Sequence, residues 1–310
     1  MLQYLIILLD DNAPSFCYYP DRTTRRLMPL DVLKKAVRYA MVENLTVQVV
    51  MPDYPLPAEY AEVLDMTDHS VIGSARLENA DVKVVSGWES IPSLDMNDES
   101  VYILRTSLAE LHENRDILMN KLKSARRINV VLTDAHKATD ADMALYKGDL
   151  EYMAGRMAEI YAYGGSSQLN LLSDRVMLSS MNNCGAGDSS ITIAPDGNFY
   201  ACPAFYYDNI LPCGDIDNGL KIGNRELYGI DRAAICSACD AWHCRRCVWL
   251  NKTDTWEVNT PGHEQCVISH LERNVSRKFI EATRKLNPTV FTDRDIPEID
   301  YLDPFDICKL

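Results

Sequence analysis

The chain predicts a parallel α/β fold followed by a cysteine-rich module. Three observations carry that expectation. Apolar strand-like runs alternate with helix-periodic segments through residues 1–180, the pattern of repeated βα units. Long helical periodicity is then lost, and Cys, Gly and Asp become dense, until Cys266–Lys285. Eight of the ten cysteines fall between Cys184 and Cys266. Periodicity alone leaves a doubly wound sheet and a partial barrel open, since both need the same alternation.

Taken in order, Tyr4 to Leu9 is a continuous apolar run, the signature of a strand buried on both faces. Pro29 suits a first helical turn, and Leu30, Leu33, Val37, Ala40 and Met41 follow at helical spacing. Val47 to Met51, Asp81 to Ser86, Val101 to Arg105 and Ile128 to Leu132 read as further strands. Ser107 with Glu110 forms a capping box ahead of Leu108, Leu111, Leu118 and Leu122. Met143, Tyr146, Leu150, Met153, Met157 and Ile160 repeat by three and four, predicting a long helix that stops near Gly164-Gly165. Leu169 to Leu172 closes the series. In the second half, Ile191 to Ala194 and Phe199 to Cys202 flank Pro195-Asp196-Gly197, which predicts a hairpin. The acidic, Pro-interrupted stretch from Asn287 to Leu310 reads as a docking arm or a disordered tail.

Net charge is -14, from 31 Lys and Arg against 45 Asp and Glu. Phosphate binding needs clustered cations, so a nucleic-acid role is not expected. No run approaches the roughly 18 apolar residues of a membrane helix, and the apolar start meets Asp10-Asp11 without a basic region or cleavage site. These features place the protein in the cytosol, away from the membrane. Thiols stay reduced there, so the cysteines read as metal ligands instead of disulfide partners.

The cysteines run Cys184, Cys202, Cys213, Cys236-x-x-Cys239, Cys244-x-x-Cys247 and Cys266. Eight thiolates suffice for two four-cysteine sites, and such spacing suits structural zinc as well as iron–sulfur clusters. His243 and His263 flank the cysteines and are expected at the surface or behind the ligands. Gly164-Gly165-Ser166-Ser167 follows a helix instead of opening one, so it is a helix stop, not a phosphate loop.

The stretch from Cys184-Gly185-Ala186-Gly187 through Pro195-Asp196-Gly197, Cys202-Pro203 and the four paired cysteines to Cys266 resembles the SPASM domain, over about residues 181–270. Gly197 and Cys202 keep that family's four-residue gap. The paired cysteines depart from it, with gaps of two, four and two residues where the family has two, five and three. The resemblance implies two [4Fe–4S] clusters. Cys236, Cys239, Cys244 and Cys266 would hold the outer one. Cys184, Cys202 and Cys247 would hold the inner one, with Cys213 as the candidate fourth ligand.

A SPASM domain follows a radical SAM barrel, so the resemblance implies a partial (β/α) barrel of that type over residues 1–180. Residues 271–310 would be a C-terminal helix and acidic tail. The barrel's three-cysteine loop, CxxxCxxC, holds the cluster that binds S-adenosylmethionine. Here Cys17 stands at its last position, and Asp10 and Pro14 occupy the first two. The Gly-Gly-Glu-Pro stretch expected after the second strand is replaced by Met51-Pro52-Asp53-Tyr54. One thiolate cannot hold a site-differentiated cubane. S-adenosylmethionine is therefore not expected as a cofactor, and Cys17 reads as a buried, inert thiol.

Overall the chain looks like the CXXX repeat peptide maturases, which resemble radical SAM/SPASM proteins without the three-cysteine motif. The resemblance implies a maturation protein for a ribosomally made peptide. It would bind a Cys-rich precursor, relay electrons through two clusters, and work beside an active modification enzyme. A zinc-binding peptide adaptor is the alternative. So is an enzyme with a rebuilt site at the barrel mouth, where Asp10, Asp11, Cys17, Asp53, Arg105, Asp134 and His136 are candidates.

Overall fold

The computed structural model of the chain describes residues 1–298. In chain order its elements are β1 (Tyr4–Leu8), α1 (Leu30–Glu43), β2 (Thr46–Val50), α2 (Ala58–Leu64), β3 (His69–Ser74), β4 (Val82–Val85), β5 (Val101–Thr106), α3 (Leu108–Leu122), β6 (Arg127–Leu132), α4 (Asp140–Ala162), β7 (Gln168–Leu169) and α5 (Ser173–Met177). The second half adds β8 (Ser190–Ile193), β9 (Phe199–Tyr200), α6 (Pro203–Tyr207), β10 (Gly214–Asp215), β11 (Gly219–Leu220), α7 (Val248–Thr255) and α8 (His263–Leu286). The expected alternation of strand and helix is present. Two compact units are formed, each from separated stretches of chain. One comprises Met1–Val84, Cys184–Ser237 and Cys247–Thr260. The other comprises Val85–Asn183, Ala238–Arg246 and the chain from Pro261 onward.

In the first unit β1 lies between β2 and β8 and runs parallel to both, pairing Leu5 with Val47 and with Ile191. β3 continues the parallel ladder beyond β2. β9 turns back antiparallel on β8 through the predicted Pro195-Asp196-Gly197 turn, where Gly197 takes φ +81°. That φ lies in the left-handed region that glycine occupies without strain. Alternate strand residues Leu5, Ile7, Val47, Val49, Ile191 and Ile193 share one core with Leu33, Ala36, Val37 and Ala40 of α1. Replacing a Leu such as Leu33 in that core by Ala costs about 2–5 kcal/mol. Met41, placed on the same stripe by spacing, is 57% exposed. α1 ends at Asn44 in the left-handed conformation, with the Leu45 amide closing on the Ala40 carbonyl at 2.8 Å.

In the second unit β5 and β6 pair in parallel over six residues. The predicted capping box at Ser107 and Glu110 starts α3, and Thr139 with Asp142 forms a second one at the start of α4. α8 packs along α4: the Tyr146 hydroxyl donates to Glu272 at 2.6 Å, and the Tyr161 ring sits 5.2 Å from Phe279. The strand expected at Leu169 to Leu172 shrinks to the two residues of β7, because Leu172 already leads into α5. The first part of the acidic tail is docked. Phe291 stacks on Tyr161 and Phe279, Ile296 is buried, and the Arg284 guanidinium donates to the Phe291 carbonyl at 2.6 Å. Residues 299–310, with Cys308, lie outside the described residues.

Candidate metal centre

The loop after β1 is organised by Asp10, which is fully buried. Its Oδ1 accepts from the Asn12 amide at 2.9 Å and the Arg26 amide at 3.3 Å, and its Oδ2 accepts from the Tyr54 hydroxyl at 2.6 Å. Burial and the Asp10 carboxylate push the Tyr54 phenol up to about 12, and the Arg25 guanidinium lies 3.8 Å over its ring. Both oxygens of Asp10 are thus engaged, Oδ1 by the loop's own amides and Oδ2 by Tyr54 from the segment after β2. Asp11 accepts from the Tyr206 hydroxyl at 2.7 Å, and burial raises its carboxyl despite that bond. Asp53 turns to the Ser74 hydroxyl at 2.7 Å. In the second unit Asp134 accepts from the Leu108 amide at 3.0 Å, which gives it a place at the start of α3. Arg105 lies on β5, and His136 on a short helical turn after Asp134.

Cys184, Cys202 and Cys247 all belong to the first unit, and Cys184 bears electrostatically on the other two. Burial raises the Cys202 thiol, and the charges of Cys184 and Cys17 raise it further. The Cys247 thiol is raised by burial and then by Cys184, Cys17 and Cys202. Two of these residues are helix N-caps: Cys202 starts α6, with its carbonyl accepting from the Phe205 amide at 3.1 Å, and Cys247 starts α7, with its carbonyl accepting from the Asn251 amide at 2.9 Å. Amides at a helix start favour a thiolate, in opposition to burial. Cys184 is exposed and precedes Gly185 at φ +67°. Gathering thiols that raise one another suits a cationic occupant, which reverses the penalty by pairing with the thiolates.

One placement differs from expectation. Cys17 is only partly buried, and it bears electrostatically on Cys202 and Cys247. Cys213 packs on the apolar core beside Ile216, Leu220 and Ile222, with its amide on the Phe199 carbonyl at 2.6 Å. Burial raises its thiol, with an opposing hydrogen bond from Ala201 and no cysteine contribution.

In the second unit Cys239 and Cys244 lie against α8, whose first turn carries Cys266. Cys239 Sγ lies 3.5 Å from His270 Nε2, one turn beyond Cys266. Cys244 accepts from the Ser269 hydroxyl, and from the Arg246 amide at 3.4 Å. Burial is the larger influence and raises the Cys244 thiol. Cys236 is buried on a short turn three residues before Cys239. The loop 238–246 is fastened to α8 by buried charge. Asp240 accepts from Arg273 Nε at 2.9 Å, and His243 Nε2 lies 3.0 Å from Glu272. The Arg175 guanidinium lies 4.0 Å over the Trp242 ring. His243 therefore stands behind the cysteines, and His263 is exposed. Sequence reasoning missed His270, although Cys266 and His270 are four apart and so share a helix face.

Among the described residues no three His, Cys, Asp or Glu side chains close on a single ion-sized point. A single tetrahedral zinc would need its sulfurs about 3.8 Å apart. A cubane has an iron at each ligated corner and takes a wider set of thiolates. Thiolate donors of this kind suit iron–sulfur clusters and structural zinc alike.

No family model matches the chain. In sequence it is 26% identical over 195 residues to the mycofactocin maturase MftC of Mycobacterium tuberculosis, a match covering 58% of this chain and 49% of the relative. The same similarity is found in two strains. The chain thus spans about half the length of the curated relatives it matches. In structure it is similar to SuiB of Streptococcus suis, solved bound to its precursor peptide SuiA, with TM-score 0.50, 13% identity, and coverage of 86% of this chain and 76% of that one. That likeness shows the fold class expected from the sequence: α/β, of the partial (β/α) barrel type, with a cysteine-rich region after it. No helix of the described residues is long and apolar enough to cross a membrane.

Proposed function

We propose that the chain is a peptide-maturation protein that binds a Cys-rich precursor peptide, carries two [4Fe–4S] clusters and does not cleave S-adenosylmethionine. The observation that carries this reading is the contrast between the two halves of the cysteine pattern. In the second half Cys184 and Cys202 bear electrostatically on Cys247, and Cys239 and Cys244 lie against α8, which carries Cys266. The loop after β1 holds a single thiol, and Asp10 there is spent on Asn12, Arg26 and Tyr54.

A bound [4Fe–4S] cluster supplies one-electron storage and transfer. The chain's own part is to place thiolates at helix starts, bury them and brace the loop that carries them. Cys236, Cys239, Cys244 and Cys266 are the residues that the resemblance to SPASM domains would assign to the outer cluster. The Arg273–Asp240 and His243–Glu272 pairs hold that loop against α8. The peptide role is supported by similarity to a maturase and by the fold shared with a protein solved on its precursor peptide. An active modification enzyme would then be the partner that receives or supplies electrons.

Iron, acid-labile sulfide and zinc content after anaerobic purification tests the cofactor. About eight Fe and eight sulfide per chain are expected. About twelve Fe would place a further cluster in the β1 loop and sink the claim of lost S-adenosylmethionine chemistry. Zinc without iron would leave the structural adaptor. Fluorescence anisotropy with a labelled Cys-containing precursor tests the partner, and binding no tighter than to a scrambled peptide would refute it.

A further inference from the structure

We propose that Arg22 and Arg25, each fixed on a tyrosine ring beside the loop after β1, dock an acidic segment of a partner peptide. The proposal rests on the peptide-binding reading above and names the chemistry that recognises the peptide.

The two arginines are built into the molecule in the same way. The Arg25 guanidinium lies 3.8 Å over the Tyr54 ring, and the Tyr54 hydroxyl donates to Asp10 Oδ2 at 2.6 Å. The Arg22 guanidinium lies 5.5 Å from the centre of the Tyr207 ring and donates to the Tyr207 carbonyl at 3.2 Å. The Tyr207 hydroxyl in turn donates to the Asp11 carbonyl at 3.0 Å. Each ring is therefore held by the start of the loop, and each guanidinium by its ring. A guanidinium stacked on an aromatic face keeps donors of its rigid fork at the edge, pre-set for a carboxylate. The base of the loop is closed as well: the Met28 amide donates to the Leu9 carbonyl at 2.7 Å, and the Arg26 amide to Asp10 Oδ1 at 3.3 Å.

These cations have no acidic partner of their own. Residues 20–26 are all exposed, and their charges are Asp21 against Arg22, Arg25 and Arg26. Asp21 Oδ1 accepts from the Ser15 amide at 2.7 Å. Among the described residues none of the three guanidiniums has a carboxylate within ion-pair distance. Arg126 and Arg127, the comparable doublet of the second unit, pair with Glu99 at 3.0 Å and Asp174 at 2.7 Å. In a chain of net charge -14, carboxylates are in excess, so an unpaired arginine cluster is a departure. Overall charge repels an acidic partner, and local cations then fix where it settles.

The placement suits a ligand. β1 and β2 run parallel, so the loop after β1 and Tyr54 after β2 share the edge where the strands reach their carboxyl ends. Parallel sheets take their ligands at that edge. Arg22 and Arg25 are three positions apart, so their Cα atoms are separated by at most about 11 Å. An extended peptide with acidic residues at alternate positions presents carboxylates on one face about 7 Å apart. Successive carboxylates of such a segment can each meet one guanidinium, in charge-assisted and bidentate contact.

The test is fluorescence anisotropy on the full chain with two labelled probes, a Cys-containing precursor and a short peptide of alternating Glu and Thr. The Glu peptide should bind, its Gln-for-Glu counterpart should not, and about 0.5 M salt should release it. The double variant Arg22→Gln with Arg25→Gln, matched to wild type by circular dichroism, should weaken the Glu peptide about tenfold. Lys at both positions should restore only part of the binding, because it keeps the charge and loses the stacked fork. Arg126→Gln removes a cation that is already paired and should match wild type. Glu-peptide binding that is absent, unchanged in the double variant, or lowered equally by Arg126→Gln overturns the proposal. If the precursor still binds in that case, the peptide-maturation reading stands. A precursor bound no tighter than a scrambled peptide, with Arg-dependent Glu-peptide binding intact, sinks that reading and keeps the docking site. An oligonucleotide of equal charge that binds more tightly and is lost in the same double variant overturns the peptide assignment. A second measurement needs no variant. Phenylglyoxal modification mapped by mass spectrometry should show Arg22 and Arg25 protected by the Glu peptide and Arg126 unprotected. Equal modification of Arg22 and Arg25 with and without the peptide overturns the proposal.

Discussion

Replacing Asp10 by Ala should strip the β1 loop of its organising carboxylate. Two of its bonds are short, 2.6 Å from Tyr54 and 2.9 Å from Asn12, and the third, from Arg26, is long at 3.3 Å. A hydrogen bond to a charged group contributes about 1.5–3 kcal/mol, and a buried donor left unmade costs about 1–3 kcal/mol. Tyr54 is only partly buried, so water can reach its hydroxyl once the carboxylate is gone. That sets the sum near the low end, about 3–4 kcal/mol, a large share of a typical stability. In a chain of this size the loss corresponds to a melting shift of roughly 6–16 °C. Thermal and urea unfolding followed by circular dichroism measure it. Asp10→Asn keeps one acceptor oxygen for the amides and should lose less than half as much. An Ala variant within about 1 kcal/mol of wild type, or Asn and Ala variants that are equal, would refute the account of Asp10 as the loop's hub.

Asp240→Ala should cost about 3 kcal/mol in unfolding assays, because it leaves the buried Arg273 guanidinium without its carboxylate; the 30% exposure of Asp240 keeps the loss at the low end of the range for broken buried pairs. Burial alone would raise the Asp240 carboxyl, but Arg273 and Arg175 outweigh it and hold the group below its ordinary 3.8. A depressed carboxylate stabilises above its unfolded value and loses that contribution as pH falls through the folded one. Wild type and Asp240→Ala should therefore converge in stability only below pH 3.8. Gly187→Ala should cost about 2–3 kcal/mol by thermal melting, since the glycine sits at φ +77° and the new Cβ would lie 2.2 Å from Tyr228 Cδ1; an unchanged melt would show that the Tyr228 ring yields freely. Tyr206→Phe should raise the Asp11 carboxyl further, because burial lifts it and the Tyr206 bond opposes the lift. Carbon-detected NMR titration would read the shift, and a lower value in the variant would contradict the hydrogen bond.

Local chemistry was the legible part of the sequence. The Ser107–Glu110 box, the α1 stripe and the Pro195-Asp196-Gly197 hairpin each depend on residues within a few positions of one another, and each is present. β3 escaped notice because His69–Ser74 mixes polar ends with a glycine and shows no clean alternation. α2 escaped because seven residues from Ala58 are too few for periodicity to stand out, although Pro57 precedes them. The pairing of β8 with β1 is invisible to any local window, since the strands are separated by more than half of the chain. The company of Cys17 was hidden for the same reason. No motif links it to cysteines far along the sequence, and its immediate neighbours read as a vestige of another site. Asp240 and Arg273 gave no signal either. A charged residue on a helix is ordinarily solvated, and only the fold shows Arg273 with 1% exposure.

The position of β1 between β2 and β8 also bears on how the protein is made. β1 leaves the ribosome first, yet one of its two parallel neighbours is encoded after residue 189. Cys17 and Cys247 lie 230 positions apart. At about 5–20 residues per second, translation separates their emergence by roughly 10–50 s. Throughout that interval the nascent chain has an apolar strand with one edge unpaired. Pairing on the β8 side waits for distant sequence, a slow and aggregation-exposed step. Overexpression that outruns this pairing should yield insoluble chain.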